Sequence, residues 1–347
     1  MMKETPLLVK MFPIRVLPVV TILLALSGSA LGEPEEPHYA QSRPDRGPCM
    51  GQEGYTREDT WLDRTHAYLT RELCEPAVWF DGFFGEERAD EEGYPGTSAR
   101  LRFGVRWSED EDFTYPNQFL ISTRLPKATS KLKLVIAGRG EDDPTHILPD
   151  DPVDTGLDEQ EEARQGKVEL RYDVRERSHS KFSINAGLRF DWPPPPFVRA
   201  RYRYTYPLNV NTLFRFIQTV FWEEEDGFGK TTRVDLDRRL SEPLLLRWSG
   251  SGTHSGISQG IDWGTELSLF HRLSERAAMT YEAGMSGYTQ PETTIDEYKA
   301  DVRFRRNFHR IWLFYELEPE VRWPRDVDGS FKPVWALAFR IEVQFNS

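Results

Sequence analysis

The chain has 347 residues, 38% hydrophobic, 29% charged and 13% aromatic, and a formal net charge of −12. That acidic balance excludes a nucleic-acid binder, which needs a basic surface to meet phosphate, and the aromatic content excludes a disordered chain. Arg outnumbers Lys by 34 to 10, so the cations are mostly planar guanidinium groups suited to fixed pairing with carboxylates.

Residues 1–32 have the layout of a secretory signal peptide: Lys3, Lys10 and Arg15 precede an apolar run from Leu17 to Leu26, followed by small residues through Gly32. The run is far shorter than the ~20 residues a membrane-spanning helix takes. Cleavage near Gly32 removes three bases and Glu4, which moves the net charge from −12 to −14. Glu33–Cys49 is Pro-rich and reads as an extended linker. From Thr56 to Leu73 the spacing of Trp61, Leu62, Thr65, Leu69 and Leu73 predicts a short helix capped by Thr56 and stopped by Pro76. A dense aromatic run, Ala77 to Gly85, and the charged stretch Glu86–Glu92 follow. Cys49 and Cys74, in an exported chain, predict one disulfide; without a CxxC, and with only His66 between them, they predict no metal site. Residues 33–97 are thus expected to form a periplasmic segment with a helix. It serves as a cap under the following domain, as a plug inside it held by the aromatic run, or as an interfacial foot on the membrane.

From Ala99 the period changes to two. Val168, Leu170, Tyr172 and Val174 alternate with Lys167, Glu169, Arg171, Asp173 and Arg175, so one face of an extended strand is apolar and the other ionised. The same alternation runs through Phe182–Trp192, Val198–Tyr206 and Pro333–Phe345. It divides the region into fourteen strand candidates at 98–107, 117–125, 130–138, 167–176, 180–192, 197–206, 212–222, 231–240, 243–250, 261–271, 275–286, 297–306, 310–322 and 331–345. Most are longer than the five or six residues usual in soluble sheets and match the ~9–11 needed to cross a bilayer at a tilt. Short links (126–129, 177–179, 207–211, 241–242, 272–274, 307–309) alternate with longer ones (108–116, 139–166, 223–230, 251–260, 287–296, 323–330), the Pro193–Pro196 run being the one short link where a long one is due. Trp107, Trp192, Trp222, Trp248, Trp263, Trp312, Trp323 and Trp335 lie mostly near strand ends, where amphipathic rings meet the membrane interface.

The export signal, the alternating ten-residue segments and a final aromatic-rich strand ending in Phe345 resemble Gram-negative outer-membrane β-barrels of the porin-like class. Phe345 is followed by Asn346 and Ser347, so the terminal aromatic signature of that class is displaced by two residues. The resemblance covers 98–347 and implies an all-β fold: a closed antiparallel transmembrane barrel of about 14 strands, with outer-membrane lipid, lipopolysaccharide and the barrel-assembly machinery as partners. Three details fit poorly. Arg238 falls on the lipid face, strand 212–222 is apolar on both faces, and strand 243–250 is short, which leaves twelve strands as the alternative count.

The ionised face then lines the lumen. It predicts a basic wall of Arg171, Arg175, Arg189, Arg199, Arg201, Arg203 and Arg215 across from a mainly acidic one of Asp262, Glu266, Glu282, Asp301, Glu316, Glu318 and Glu320, with Lys299, Arg303, Arg305 and Arg322 mixed in. Opposed walls of this kind create a transverse field that selects polar or charged small solutes passing through a channel. The alternatives are a closed structural or adhesive barrel whose charges pair with one another, and an outer-membrane lipid-modifying hydrolase. The hydrolase needs a nucleophile within reach of a base. The nearest candidates, His254 and Ser255, point to opposite faces if extended, and Ser249–Gly256 reads as a flexible loop. His179, His271 and His309 lack metal-ligand spacing, so no catalytic residue, metal or cofactor is predicted. The loop 139–166 is rich in Asp and Glu without an EF-hand spacing and reads as a solvated outer loop.

Overall fold

A computed structural model of the chain describes Phe83 and residues 98–124, 131–140, 166–176, 179–190, 192–224, 227–256, 258, 260–310 and 312–346. The predicted signal peptide, the helix at 56–73, Cys49 and Cys74, and residues 141–165 of the acidic loop lie outside the described residues.

Period-two patterning produces strands throughout: β1 (Ser98–Ser108), β2 (Asp112–Thr114), β3 (Asn117–Arg124), β4 (Leu132–Gly140), β5 (Lys167–Glu176), β6 (Ser180–Arg189), β7 (Pro196–Asn209), β8 (Thr212–Glu223), β9 (Gly227–Ser241), β10 (Leu244–His254), β11 (Asp262–Ser274), β12 (Ala277–Tyr288), β13 (Thr294–Asn307), β14 (Leu313–Pro324) and β15 (Val334–Asn346). All pairings are antiparallel and between neighbours in sequence, except that β1 pairs with β3, past the short β2, and with β15. The β1–β15 ladder runs from Ser98 opposite Asn346 to Ser108 opposite Ala336 and closes the sheet into a ring. β2 only prolongs the first hairpin, against Arg106–Ser108 of β1. The barrel therefore has fourteen staves, not twelve, and closure leaves no free edge.

Which face of each strand points inward is read from burial, and the result is inverted relative to a soluble protein. Phe103 is 54% exposed and Phe339 43%, whereas Arg305 is 0% and Arg247 2% exposed. A closed, even-stranded barrel with an apolar outside and a charged inside is the outer-membrane type. This chain is a transmembrane β-barrel of that type.

The two rims differ. At one rim the hairpins are tight. Asn209 Oδ1 accepts from the Asn211 amide at 2.9 Å, and Ser274 Oγ accepts from the Arg276 amide at 3.2 Å, side-chain turns that Asn and Ser form readily. Bulges fall beside four of these turns, at Asp173/Arg175, Pro207/Asn209, Leu244/Leu245 and Arg272/Ser274. In outer-membrane barrels this is the periplasmic rim, and both ends of the barrel segment, Ser98 and Asn346, return to it. Outward aromatics mark both rims. Trp312 stacks on Phe345 with centroids 6.5 Å apart, and Tyr204 on Tyr206 at 6.2 Å, at the turn rim; Trp107, Trp222, Trp263, Trp323 and Trp335 lie near the loop rim.

Several boundaries differ from expectation. β9 begins at Gly227, so the link before it shrinks to 224–226 instead of a long loop. β10 runs to His254: the Ser-Gly-Ser-Gly-Thr stretch is strand, with Ser249, Ser251 and Thr253 inward and Gly250 and Gly252 outward. A Cβ on Gly250 would stand 3.3 Å from the Trp248 ring, which leans over it and donates its indole N–H to Thr265 Oγ1 at 3.0 Å. Arg238 is exposed on the outer face three residues before the end of β9, at the turn rim, where the cost of an outward charge falls to about 0–1 kcal/mol. In β8 the two apolar faces have different neighbours. Phe214 and Phe216 point out, while Leu213, Ile217 and Phe221 point in and are buried; the Phe221 ring lies against Gly229, where any Cβ would meet it at 2.2 Å.

Candidate functional site: the barrel interior

The wall made by β13, β14, β15 and β1 is a continuous ion-pair network. Inward positions of β14 carry Glu316, Glu318 and Glu320, and β15 adds Glu342. Each of these four meets at least two cations from staves one or two away. Arg305 bonds Glu316, and its Nη2 donates to Glu342 Oε1 at 2.8 Å. Arg102 Nη2 donates to Glu342 Oε2 at 2.7 Å, with Arg100 Nε 3.4 Å from Oε1. Glu318 Oε2 accepts from Arg340 Nη1 at 2.7 Å and Arg303 Nε at 2.9 Å, and Arg303 Nη2 lies 3.5 Å from Glu282. Glu320 takes Arg106 Nη2 at 3.0 Å and lies 3.2 Å from Lys299 Nζ, and Lys299 is also 3.8 Å from Asp301. Taking such charges out of water is tolerated because the four glutamates are each paired and hydrogen-bonded.

Small residues let these pairs reach past a neighbour. Arg106 and Glu320 sit on β1 and β14, two staves apart, and the strand between them presents Ala336 and Ala338, both buried. Ala338 lies opposite Arg106 on one side and Glu318 on the other. Pro319 has no N–H to give the β13–β14 ladder, which skips there and resumes in the same register. The first loop folds onto this wall: Arg322 Nη2 donates to Asp110 Oδ2 at 3.1 Å, and the Trp335 amide to Glu109 Oε2 at 3.1 Å. Burial alone would raise the Asp110 carboxyl, but the Ser108 hydroxyl and the Arg322 guanidinium together hold it below the usual carboxylate range.

The opposite wall, β5 to β8, holds more cations than carboxylates. Arg199 Nη2 donates to Glu169 Oε2 at 3.1 Å, passing over β6, whose Asn185 donates to the other Glu169 oxygen. Arg189 reaches Glu223 at 2.5 Å, again two staves away. Arg171 and Lys181 each lie 3.4 Å from Asp173. Arg215 lies 3.8 Å from Asp235 and 3.9 Å from Asp237 on β9. Arg201 and Arg203 on β7 point inward and are only half-buried.

The predicted residues thus divide. Arg171, Arg189, Arg199 and Arg215 lie buried on the inner face, with Arg201 and Arg203 inward but part-exposed. Arg175 departs from the prediction: the bulge after Asp173 puts it opposite Phe182, an outward residue, and it is exposed. A one-residue bulge reverses the side on which the next residue lies. On the other wall Glu282, Asp301, Glu316, Glu318 and Glu320 are buried, while Asp262 and Glu266 on β11 keep part of their surface open. That wall is not the acidic surface expected, because Arg100, Arg102, Arg106 and Arg340 interleave with it. The alternation within β1 and β15 marks these four as inward, on two strands that lie outside the stretch 261–322 from which the acidic wall is predicted. Arg233, Asp235, Asp237 and Arg247 on β9 and β10 form a further paired group, with Arg247 Nε 2.6 Å from Asp237 Oδ1.

His254 and Ser255 do not pair. His254 Nδ1 lies 2.7 Å from the Gly260 carbonyl, and Ser255 Oγ accepts from the Ser258 amide at 3.1 Å. Among the described residues no group of three His, Cys, Asp or Glu is placed to hold a metal ion.

No family model and no curated protein matches the sequence. Solved structures similar to the chain include the outer membrane channel DcaP of Acinetobacter baumannii (10% identity, TM-score 0.45, covering 72% of this chain and 96% of that one). They also include the CymD monoaromatic hydrocarbon channel (8%, 0.46, 77% and 92%) and OprB of Pseudomonas putida (9%, 0.45, 76% and 97%).

Proposed function

We propose that the barrel is a porin-like channel of the Gram-negative outer membrane that passes small polar or charged solutes. The observation that carries this reading is the set of inward charges that keep part of their surface open: Arg201 and Arg203 on β7, and Asp262 and Glu266 on β11. A solute crossing the barrel would meet these groups, with cations on one side of its path and carboxylates on the other, a field that orients and selects polar solutes. The buried ion pairs stiffen the surrounding wall. In this reading the outer face and its aromatic girdles are seated in outer-membrane lipid and lipopolysaccharide, and the barrel-assembly machinery acts on the strand that carries Phe345. Met1–Gly32 is the export signal, and Cys49 and Cys74 pair in the periplasm, which a mobility difference between reduced and unreduced samples would report.

The decisive experiment is single-channel recording in planar bilayers, with reversal potentials in a salt gradient. Discrete ion-selective steps are expected. A correctly folded barrel without them would support instead the closed structural barrel, for which the dry network of β13 to β1 is the favouring observation.

A further inference from the structure

We propose that Phe83 is a stopper side chain, seated in the turn-rim mouth, where it narrows the path through the barrel. The narrowing rests on the channel reading above; the seating of Phe83 does not.

Leu213 on β8 aside, the interior near this rim is otherwise lined mainly by polar and charged groups, yet four of the five staves from β10 to β14 place an apolar side chain inward there: Leu245 on β10, Phe270 on β11, Ala278 on β12 and Phe314 on β14. They adjoin. Leu245 lies opposite Phe270 and Ala278 opposite Arg305, while Phe314 lies opposite Asn307, the next inward position after Arg305. A water-filled mouth would wet this patch at a cost proportional to its area. Instead it is buried, and the fifth member of the cluster is Phe83, itself 8% exposed. Its ring meets Phe314 edge-on, with centroids 5.8 Å apart at 85°, a favoured aromatic geometry. The stave between β12 and β14 supplies a cation in place of an apolar group: the Arg305 guanidinium stands 6.0 Å from the Phe83 ring and 4.1 Å from the Phe314 ring. The seat is therefore an apolar arc flanked by cations, Arg305 beside Phe314 and Arg247 5.1 Å from the Phe270 ring, shaped for an aromatic ring.

The covalent path permits this. Ser98, which begins β1 at the same rim, lies fifteen positions after Phe83, and a chain of that length spans up to about 50 Å. It also gives a purpose to the aromatic run at 77–85, which a plain linker would not need. Because the seat occupies only the β10–β14 arc, Phe83 in this proposal restricts the mouth without filling it.

The test uses the full chain with Cys49 and Cys74 replaced by Ser. Phe83→Cys is combined with Ala278→Cys in the seat, or with Ser251→Cys, an inward position near the loop rim, and both are oxidised in the folded barrel. The expected result is a crosslink with position 278 and none with 251; equal or absent crosslinking would overturn the seating. In bilayers, Phe83→Ala is expected to raise single-channel conductance at least twofold, with the 83–278 crosslinked form held at or below the unsubstituted level. An unchanged conductance in Phe83→Ala, from a parent that conducts, removes the stopper role. If the crosslink forms and neither parent nor Phe83→Ala conducts, the channel reading fails and the narrowing with it, whereas a missing crosslink beside normal conductance sinks the seating alone.

Discussion

Across β13, β14, β15 and β1, each buried glutamate is shared by two or three cations, and groups such as Arg305, Glu316 and Glu318 are almost wholly buried. Across β5 to β8 the carboxylates are few, the cations outnumber them, and Arg201 and Arg203 retain open surface. The same side chains thus serve two ends within one ring. Where charges alternate in sign between neighbouring staves they satisfy one another and make a dry, rigid wall. Where one sign predominates, part of the charged surface stays open, and in the channel reading proposed above that surface is what a solute would meet. What distinguishes the two walls is the local balance of charges, not their number.

That contrast can be broken at its strongest point. Arg305→Ala leaves Glu316 and Glu342 buried beside a lost partner, and removing one member of a buried pair costs about 3–5 kcal/mol. Arg203→Ala, on the part-exposed wall, should stay within about 1 kcal/mol; urea unfolding in detergent micelles compares the two. Next in size is the outer face: Phe339→Arg, mid-strand on β15, should cost about 2–4 kcal/mol and lower the yield of inserted barrel. Arg201→Glu with Arg203→Glu should leave unfolding nearly unchanged while moving the reversal potential in a salt gradient several-fold toward cation preference. The smallest effect concerns the first loop. The Asp110 carboxyl is held low by its partners, so its contribution is complete at neutral pH and is lost as pH falls through that depressed value, below the unperturbed pKa of about 3.9. Protease cleavage within 109–116 should therefore rise on acidification, and should already be raised at pH 7 in Asp110→Asn.

All fourteen staves were legible, because period-two alternation is strictest where one face meets hydrocarbon and the other is enclosed; the segment 167–173 alone shows both. Turn positions followed from the loss of that period. Less legible were places where alternation is interrupted or where pairing skips a strand. Nothing in the composition around Arg175 announces the bulge that turns it outward. Ser249–Thr253 reads as loop because Gly and Ser are loop-like in composition, yet the glycines make room for the Trp248 ring and the hydroxyls face inward. The Arg106–Glu320 pair depends on two alanines in an intervening strand that is distant in sequence from β1, and the seat of Phe83 depends on four strands meeting at one rim. These are properties of the closed ring, which no single segment encodes.

The seam between the first and last strands carries a further implication. Arg100, Arg102 and Arg106 stand on β1, and the acids they meet, Glu342 and Glu320, belong to the final two strands. Before closure the leading edge would bear three guanidinium groups, poor templates for pairing with a stray chain, while the trailing hairpin would hold acids short of counterions. Only the native join matches them, so the polypeptide carries at its two extremities a lock and a key that favour sealing over open or mispaired sheets.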